Sequence, residues 1–171
     1  MRYAATLALT VIALTLAGCA GQRRDDGAAR PSASGQARVT HVSDGDTIVV
    51  LLRGRSEKVR YIGIDTPESV KEDTPVQCFA RQASEENERL VGRRWVRLVF
   101  DRELRDDYGR LLAYVYVGSV LVNAELVRRG YARTLRIEPN TAKAGELARL
   151  EARAARAGRG LWGACVPGSR L

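Results

Sequence analysis

Three short segments concentrate side chains that could act together on one bond: VSDGDTIVV (42–50), VRYIGIDTPE (59–68) and DDYGR (106–110). They contribute the acids Asp46, Asp65 and Glu68, the arginines Arg60 and Arg110, and Tyr108. Phosphodiester hydrolysis needs such a set. Water must attack a phosphorus whose oxygens are already negative while further charge builds on those oxygens and on the leaving group. Cations must therefore meet the phosphate, and a base must meet the water. Asp46 and Asp65 carry hard oxygens of the kind Ca2+ or Mg2+ takes, and a neighbouring backbone carbonyl could complete the protein's share. Arg60 and Arg110 present planar donor forks that match two phosphate oxygens. With the two aspartates given to metal, Glu68 is the acid left to orient or deprotonate the attacking water.

Taken singly, each segment has an ordinary structural explanation. Asp44-Gly45-Asp46-Thr47 reads as a hairpin turn, Asp65-Thr66-Pro67-Glu68 as a strand end stopped by proline, and Tyr108-Gly109-Arg110 as another turn. Their conjunction is more specific. DGDT, R-x4-DTPE and YGR in this order resemble the thermonuclease family, the staphylococcal-nuclease-like domain, over about Ala37 to Gly163. The resemblance implies metal ligation by Asp46, Asp65 and the main-chain oxygen of Thr66, with one Ca2+ as the ion. It further implies catalytic roles for Arg60, Arg110 and Glu68, and a substrate-phosphate contact at Tyr108. The implied activity is endonucleolytic cleavage of DNA, and of RNA, leaving 3'-phosphate ends. Two departures bear on substrate handling: Asp107 stands where the family's best-known member has a basic residue, and Leu135 and Ile137 fall near its two base-binding tyrosines.

These residues must be brought together by strands, and alternation creates a difficulty. Arg60 and Asp65 are five positions apart, so a flat strand would aim them at opposite faces. An irregularity is therefore expected from Gly63 to Asp65, where glycine permits a bulge or sharp coil. Apolar and β-branched runs predict five strands, at Arg38–Val42, Thr47–Leu52, Glu57–Ile64, Trp95–Phe100 and Leu111–Val117. Helical patterns cover Cys78–Val91, with Phe79, Ala83 and Leu90 on one face and a Glu85–Arg89 pair on the other, then Val122–Arg129, stopped by Gly130. A third covers Thr141–Ala157, with Leu147, Leu150 and Ala154 toward a core. Five strands with about three helices fit an OB-fold, a five-stranded Greek-key barrel, or an SH3-like barrel; the resemblance favours the OB-fold. Trp95 and Trp162 are expected to pack against barrel and helices. His41, the one histidine, is assigned a structural or surface role, and the stripe Arg149, Arg153, Arg156 a solvated face.

The 171 residues, 45% hydrophobic and 6% aromatic, suffice for one small domain. Net charge is +8, of which residues 37–171 keep +6, and metal would mask some of their acids. That balance favours a polyanionic partner.

The N-terminal segment points elsewhere. A short basic start precedes an apolar run, Ala4–Ala17, too short to span a bilayer comfortably, and Leu16-Ala17-Gly18-Cys19 follows. This resembles a bacterial lipoprotein signal, implying cleavage after residue 18 and acylation of Cys19. Residues 19–36 read as a flexible tether to a nuclease domain at 37–166, with 167–171 as a tail. Ala20 after the cysteine suggests the outer membrane where one exists, or otherwise the cell surface. An exported head favours a Cys78–Cys165 disulfide, since the two show no metal-ligand spacing. No obligate protein partner is expected, and a monomer is. Two other classes stay in view: a non-catalytic nucleic-acid-binding OB module, which the complete acid and arginine set argues against, and a structural envelope lipoprotein.

Overall fold

A computed structural model describes residues 34–68 and 76–165. The signal segment 1–18, the lipidation residue Cys19, most of the tether, the loop residues 69–75 and the tail lie outside the described residues.

Five strands alternate buried and exposed side chains with the period of two that a half-buried sheet demands. They are β1 (Ser34–Val42), β2 (Thr47–Leu52), β3 (Arg55–Tyr61), β5 (Trp95–Val99) and β6 (Leu111–Val117). Their inward residues, among them Val39, Ile48, Val50, Val59, Tyr61, Val96, Leu98, Ala113 and Val115, form one core. β1 pairs antiparallel with both β2 and β5, β2 with β3, and β5 with β6. Parallel pairing of β3 with β6, Val59 opposite Leu111, closes the ring. The order β1-β2-β3-β6-β5 around a closed barrel is the OB-fold expected from the resemblance.

Helices α1 (Ala80–Val91), α2 (Val122–Arg129) and α3 (Ala144–Arg156) extend that core with Val91, Leu126, Val127 and Leu147. α2 ends at Gly130 in the left-handed conformation, as the sequence suggests. A one-turn helix, α4 (Leu161–Ala164), follows, and Cys78 just before α1 is bonded to Cys165 just after α4.

Several expectations need correction. β1 begins at Ser34, so the last three residues of the expected tether pair with β5. The third strand does not run to Ile64: β3 stops at Tyr61, and Ile64–Asp65 forms the short β4, paired with β8 (Arg133–Thr134). A further short strand, β7 (Val120–Leu121), turns back on β6. α1 starts after Phe79, whose positive φ of 71° is not helical, and its ring meets Tyr131 instead. Arg89 pairs with Glu86, not Glu85, because Glu86 faces α2 and is shared with Arg129. α3 begins three residues later than expected, at Ala144. Trp95 does not pack inward: it is 59% exposed, since the buried face of β5 belongs to Val96 and Leu98. Trp162, by contrast, is partly buried and stacks with Arg133, whose guanidinium carbon lies 4.2 Å from the ring centroid.

Candidate active site

Asp46 ends the tight loop between β1 and β2. Its amide donates to Asp44 Oδ1 at 2.9 Å, an Asx turn that brings both carboxyls to one place. Gly45 is needed for close approach, because a Cβ there would meet the Thr66 side chain at 2.7 Å. Thr66 in turn donates its amide and hydroxyl to Asp46 Oδ2, at 2.8 and 3.0 Å. The loop is also held from below: Asn87 of α1, fully buried, donates to the Asp44 carbonyl at 2.9 Å and accepts from the Tyr61 hydroxyl at 2.9 Å.

Arg60 lies on the outer face of β3. The irregularity expected at Gly63–Asp65 is present: Gly63 has φ 80°, breaking the strand between Tyr61 and Ile64. Arg60 uses this bend. Nη1 donates to the carbonyls of Ile64 (2.8 Å) and Tyr61 (3.2 Å) and lies 3.1 Å from Asp46 Oδ2, while Nη2 reaches Asp65 Oδ1 at 2.7 Å. One guanidinium thus gathers both aspartates assigned to metal.

Glu68 follows at the end of the DTPE run, and Gln77 holds its backbone on both sides. The Glu68 amide donates to Gln77 Oε1 at 2.7 Å, and the Gln77 amide donates to the Glu68 carbonyl at 3.1 Å. Arg110 enters from the turn before β6. Asp106 organises that turn by accepting from the Tyr108 and Arg110 amides through Oδ1 and from Arg110 Nε through Oδ2 at 2.7 Å. The Arg110 guanidinium carbon sits 5.3 Å from the Tyr108 ring centroid, and that ring is 86% exposed.

Asp46, Asp65, Thr66, Glu68, Arg60 and Arg110 line one cleft of about 70 Å³. A larger hollow of about 330 Å³ adjoins it through the same two arginines and includes Tyr108, Leu135 and Ile137. Every candidate residue of the barrel therefore converges on one end of it. Asp44, which sequence reasoning left as a turn residue, also lines the cleft, and burial followed by the negative charge of Asp46 pushes its carboxyl up to about 6. Its spacing of two from Asp46 was the available signal. Gln77 carried none, being nine residues from Glu68.

An oxygen-only donor set fits a hard cation such as Ca2+. Among the described residues no group of three or more acidic, histidine or cysteine side chains converges to hold an ion. The protein's share would be two carboxylates and a main-chain oxygen, leaving positions for phosphate and water.

The fold and the cleft define an OB-fold domain with acids and arginines arranged for a phosphate-bearing ligand. The family model described as "Staphylococcal nuclease homologue" matches residues 58–164, and the chain belongs to this family. It is 46% identical over 102 residues to a thermonuclease of Staphylococcus intermedius, covering 60% of this chain and 61% of that protein. Similarity to a thermonuclease of Staphylococcus hyicus is 38% over 125 residues, covering 73% and 74%. To endonuclease YncB of Bacillus subtilis it is 41% over 121 residues, covering 67% and 57%. The chain thus spans less than two thirds of the first and third of these relatives.

Proposed function

We propose that this chain is a Ca2+-dependent endonuclease that hydrolyses phosphodiester bonds of DNA and RNA and leaves 3'-phosphate ends. The observation that carries the reading is the convergence of Arg60 and Arg110 with Asp46, Asp65 and Glu68 on one cleft. Asp46, Asp65 and the Thr66 carbonyl would hold the ion, which when bound neutralises phosphate charge and organises water. Glu68 accepts hydrogen bonding from the attacking water and draws off its proton. Arg60 and Arg110 meet the non-bridging oxygens, where planar forks stabilise charge that grows toward the transition state. The water oxygen bonds to phosphorus as Glu68 takes its proton, the bond to the 5'-oxygen breaks, that oxygen takes a proton from solvent water, and the phosphate stays on the 3' side. Tyr108, exposed beside Arg110, contacts a phosphate of the same strand.

The Leu-Ala-Gly-Cys run supports acylation at Cys19, which would hold the enzyme on the bacterial envelope, at the outer membrane or cell surface. Fatty-acid labelling abolished by Cys19→Ser tests the anchor.

The nuclease reading is tested by cleavage of single-stranded DNA, duplex DNA and RNA by the full chain with Ca2+, with Mg2+ and with chelator, beside Glu68→Gln. Calcium-dependent cutting that the variant loses supports it. Binding without cutting by a folded parent chain would make the protein a nucleic-acid-binding module instead.

A further inference from the structure

The outer face of the barrel away from the cleft carries a second arrangement that hydrolysis does not use. Leu51 of β2, Arg38 of β1 and Trp95 of β5 stand opposite one another in register, forming one cross-strand row. All three are exposed, Trp95 at 59% and Leu51 at 47%. In the neighbouring row Arg97 of β5 lies opposite Gln36 of β1 and Tyr116 of β6, its guanidinium carbon 4.2 Å from the tyrosine ring centroid. Exposed Arg93 and Arg94 lead into Trp95, and exposed Lys58 stands two residues before Arg60 on β3.

The charge of this face is one-sided. β1, β2, β5 and β6 contain no acidic residue, and the single acid of β3, Glu57, is engaged by Arg105 through both carboxylate oxygens at 3.0 Å. Arg38, Lys58, Arg93, Arg94 and Arg97 form no salt bridge among the described residues. The exposed Trp95 ring, with exposed Leu51 in its row and cations without ion-pair partners around it, makes a surface suited to a partner, and the charge selects a polyanion. Cations that track a backbone beside aromatic rings that accept unstacked bases are how sheet surfaces hold single strands.

We infer that the Trp95–Arg38–Arg97 face binds a single-stranded stretch of the nucleic acid being cut, beyond the nucleotides held at the cleft. The inference rests on the nuclease reading. Continuity favours nucleic acid over an anionic membrane as the occupant: Lys58 and Arg60 share the outer side of β3, so the face joins the cleft without an intervening acid on that strand. A base stacks on Trp95, Arg38 and Arg97 meet flanking phosphates, and Leu51 covers the sugar edge.

The test uses the full chain carrying Glu68→Gln, so that substrate survives, with labelled oligothymidylates of about 4 and about 16 nucleotides, the range one OB barrel holds. The longer strand should bind more tightly and quench Trp95 emission. Trp95→Ala should remove at least about fivefold of that length-dependent gain. Trp95→Phe should restore most of it, and Arg38→Ala with Arg97→Ala should lower the salt slope by about 0.7 per lost phosphate contact. Circular dichroism checks that these exposed substitutions leave the barrel folded. A length-dependent gain that survives Trp95→Ala overturns the inference while the nuclease reading stands. So does a Trp95 that responds to phosphatidylglycerol vesicles and not to oligonucleotide. A parent chain that cuts no nucleic acid removes both.

Discussion

Arg60 and Asp65 are five residues apart along one run, yet Arg60 Nη2 lies 2.7 Å from Asp65 Oδ1. The bend at Gly63, which Arg60 itself ties down through the carbonyls of Tyr61 and Ile64, makes the contact possible. Gly63 therefore carries the geometry of the cleft although it touches no ligand. Gly63→Ala should destabilise the fold by about 1–2 kcal/mol from left-handed backbone alone. It should lose more where its Cβ meets Leu147 Cδ1 at 2.6 Å. Urea unfolding measures the first effect, and a fall in kcat of the folded fraction measures displacement of Asp65.

Arg60 engages two carboxylates and two carbonyls at once, which one ammonium cannot imitate. Arg60→Lys should therefore reduce kcat by about 100- to 1,000-fold, nearly as much as Arg110→Ala, the scale of losing a preorganised donor. Steady-state cleavage with saturating Ca2+ checks this; retention of a tenth of the parent rate by Arg60→Lys would count against a bidentate role.

Gln77 positions Glu68 through its backbone on both sides. Gln77→Ala leaves every charged group of the cleft in place and removes one hydrogen bond, a cost near 1 kcal/mol. The expected result is a kcat loss of about 10- to 100-fold with little change in KM, since misplacement by about 1 Å is enough to slow proton transfer. Equal changes in kcat and thermal stability would reduce Gln77 to a structural residue.

The disulfide joins residues 87 positions apart and clips the turn before α1 to the end of the described chain. Constraining so long a loop in the unfolded state contributes about 4–5 kcal/mol in the chain-entropy account. Cys165→Ser, or reduction of the parent, should lower Tm by roughly 10–20 °C. Because Cys78 adjoins Gln77, activity should decline below the new Tm as well.

Acid should loosen the ion pairs within α2, where Glu125 accepts from Arg128 and Arg129 of its own last turn. Hydrogen bonds from Arg128, opposed by burial and reinforced by Arg129, hold the Glu125 carboxyl at about 2, below its ordinary 4.5. A carboxyl lowered in the folded state contributes stability that is complete above pH 4.5 and lost as pH falls toward 2. Glu125→Gln should lower Tm at neutral pH and flatten the Tm profile between those limits, as calorimetry across the range would show.

Local chemistry made much of this protein legible in its sequence. Continuous apolar and β-branched runs located β2 and β6 to the residue, because such short runs bounded by turn residues favour the extended backbone locally. Gly130 marked the end of α2 for a similarly local reason, and the mismatch between Arg60 and Asp65 foretold the bend at Gly63. The members of the candidate site were likewise readable, since their types and order carry the chemistry. Tertiary structure decided what depends on distant partners. Closure through β3 and β6 distinguishes this barrel from others with five strands, and it requires pairing across about fifty residues of chain. Glu86 rather than Glu85 took Arg89 because α2 placed Arg129 beside it. Asn87 and Gln77, polar residues of ordinary appearance, became supports of the cleft only once α1 docked beneath it. Trp95 stayed in water because the interior of a small barrel has room for one face of each strand, and on β5 Val96 and Leu98 already fill it.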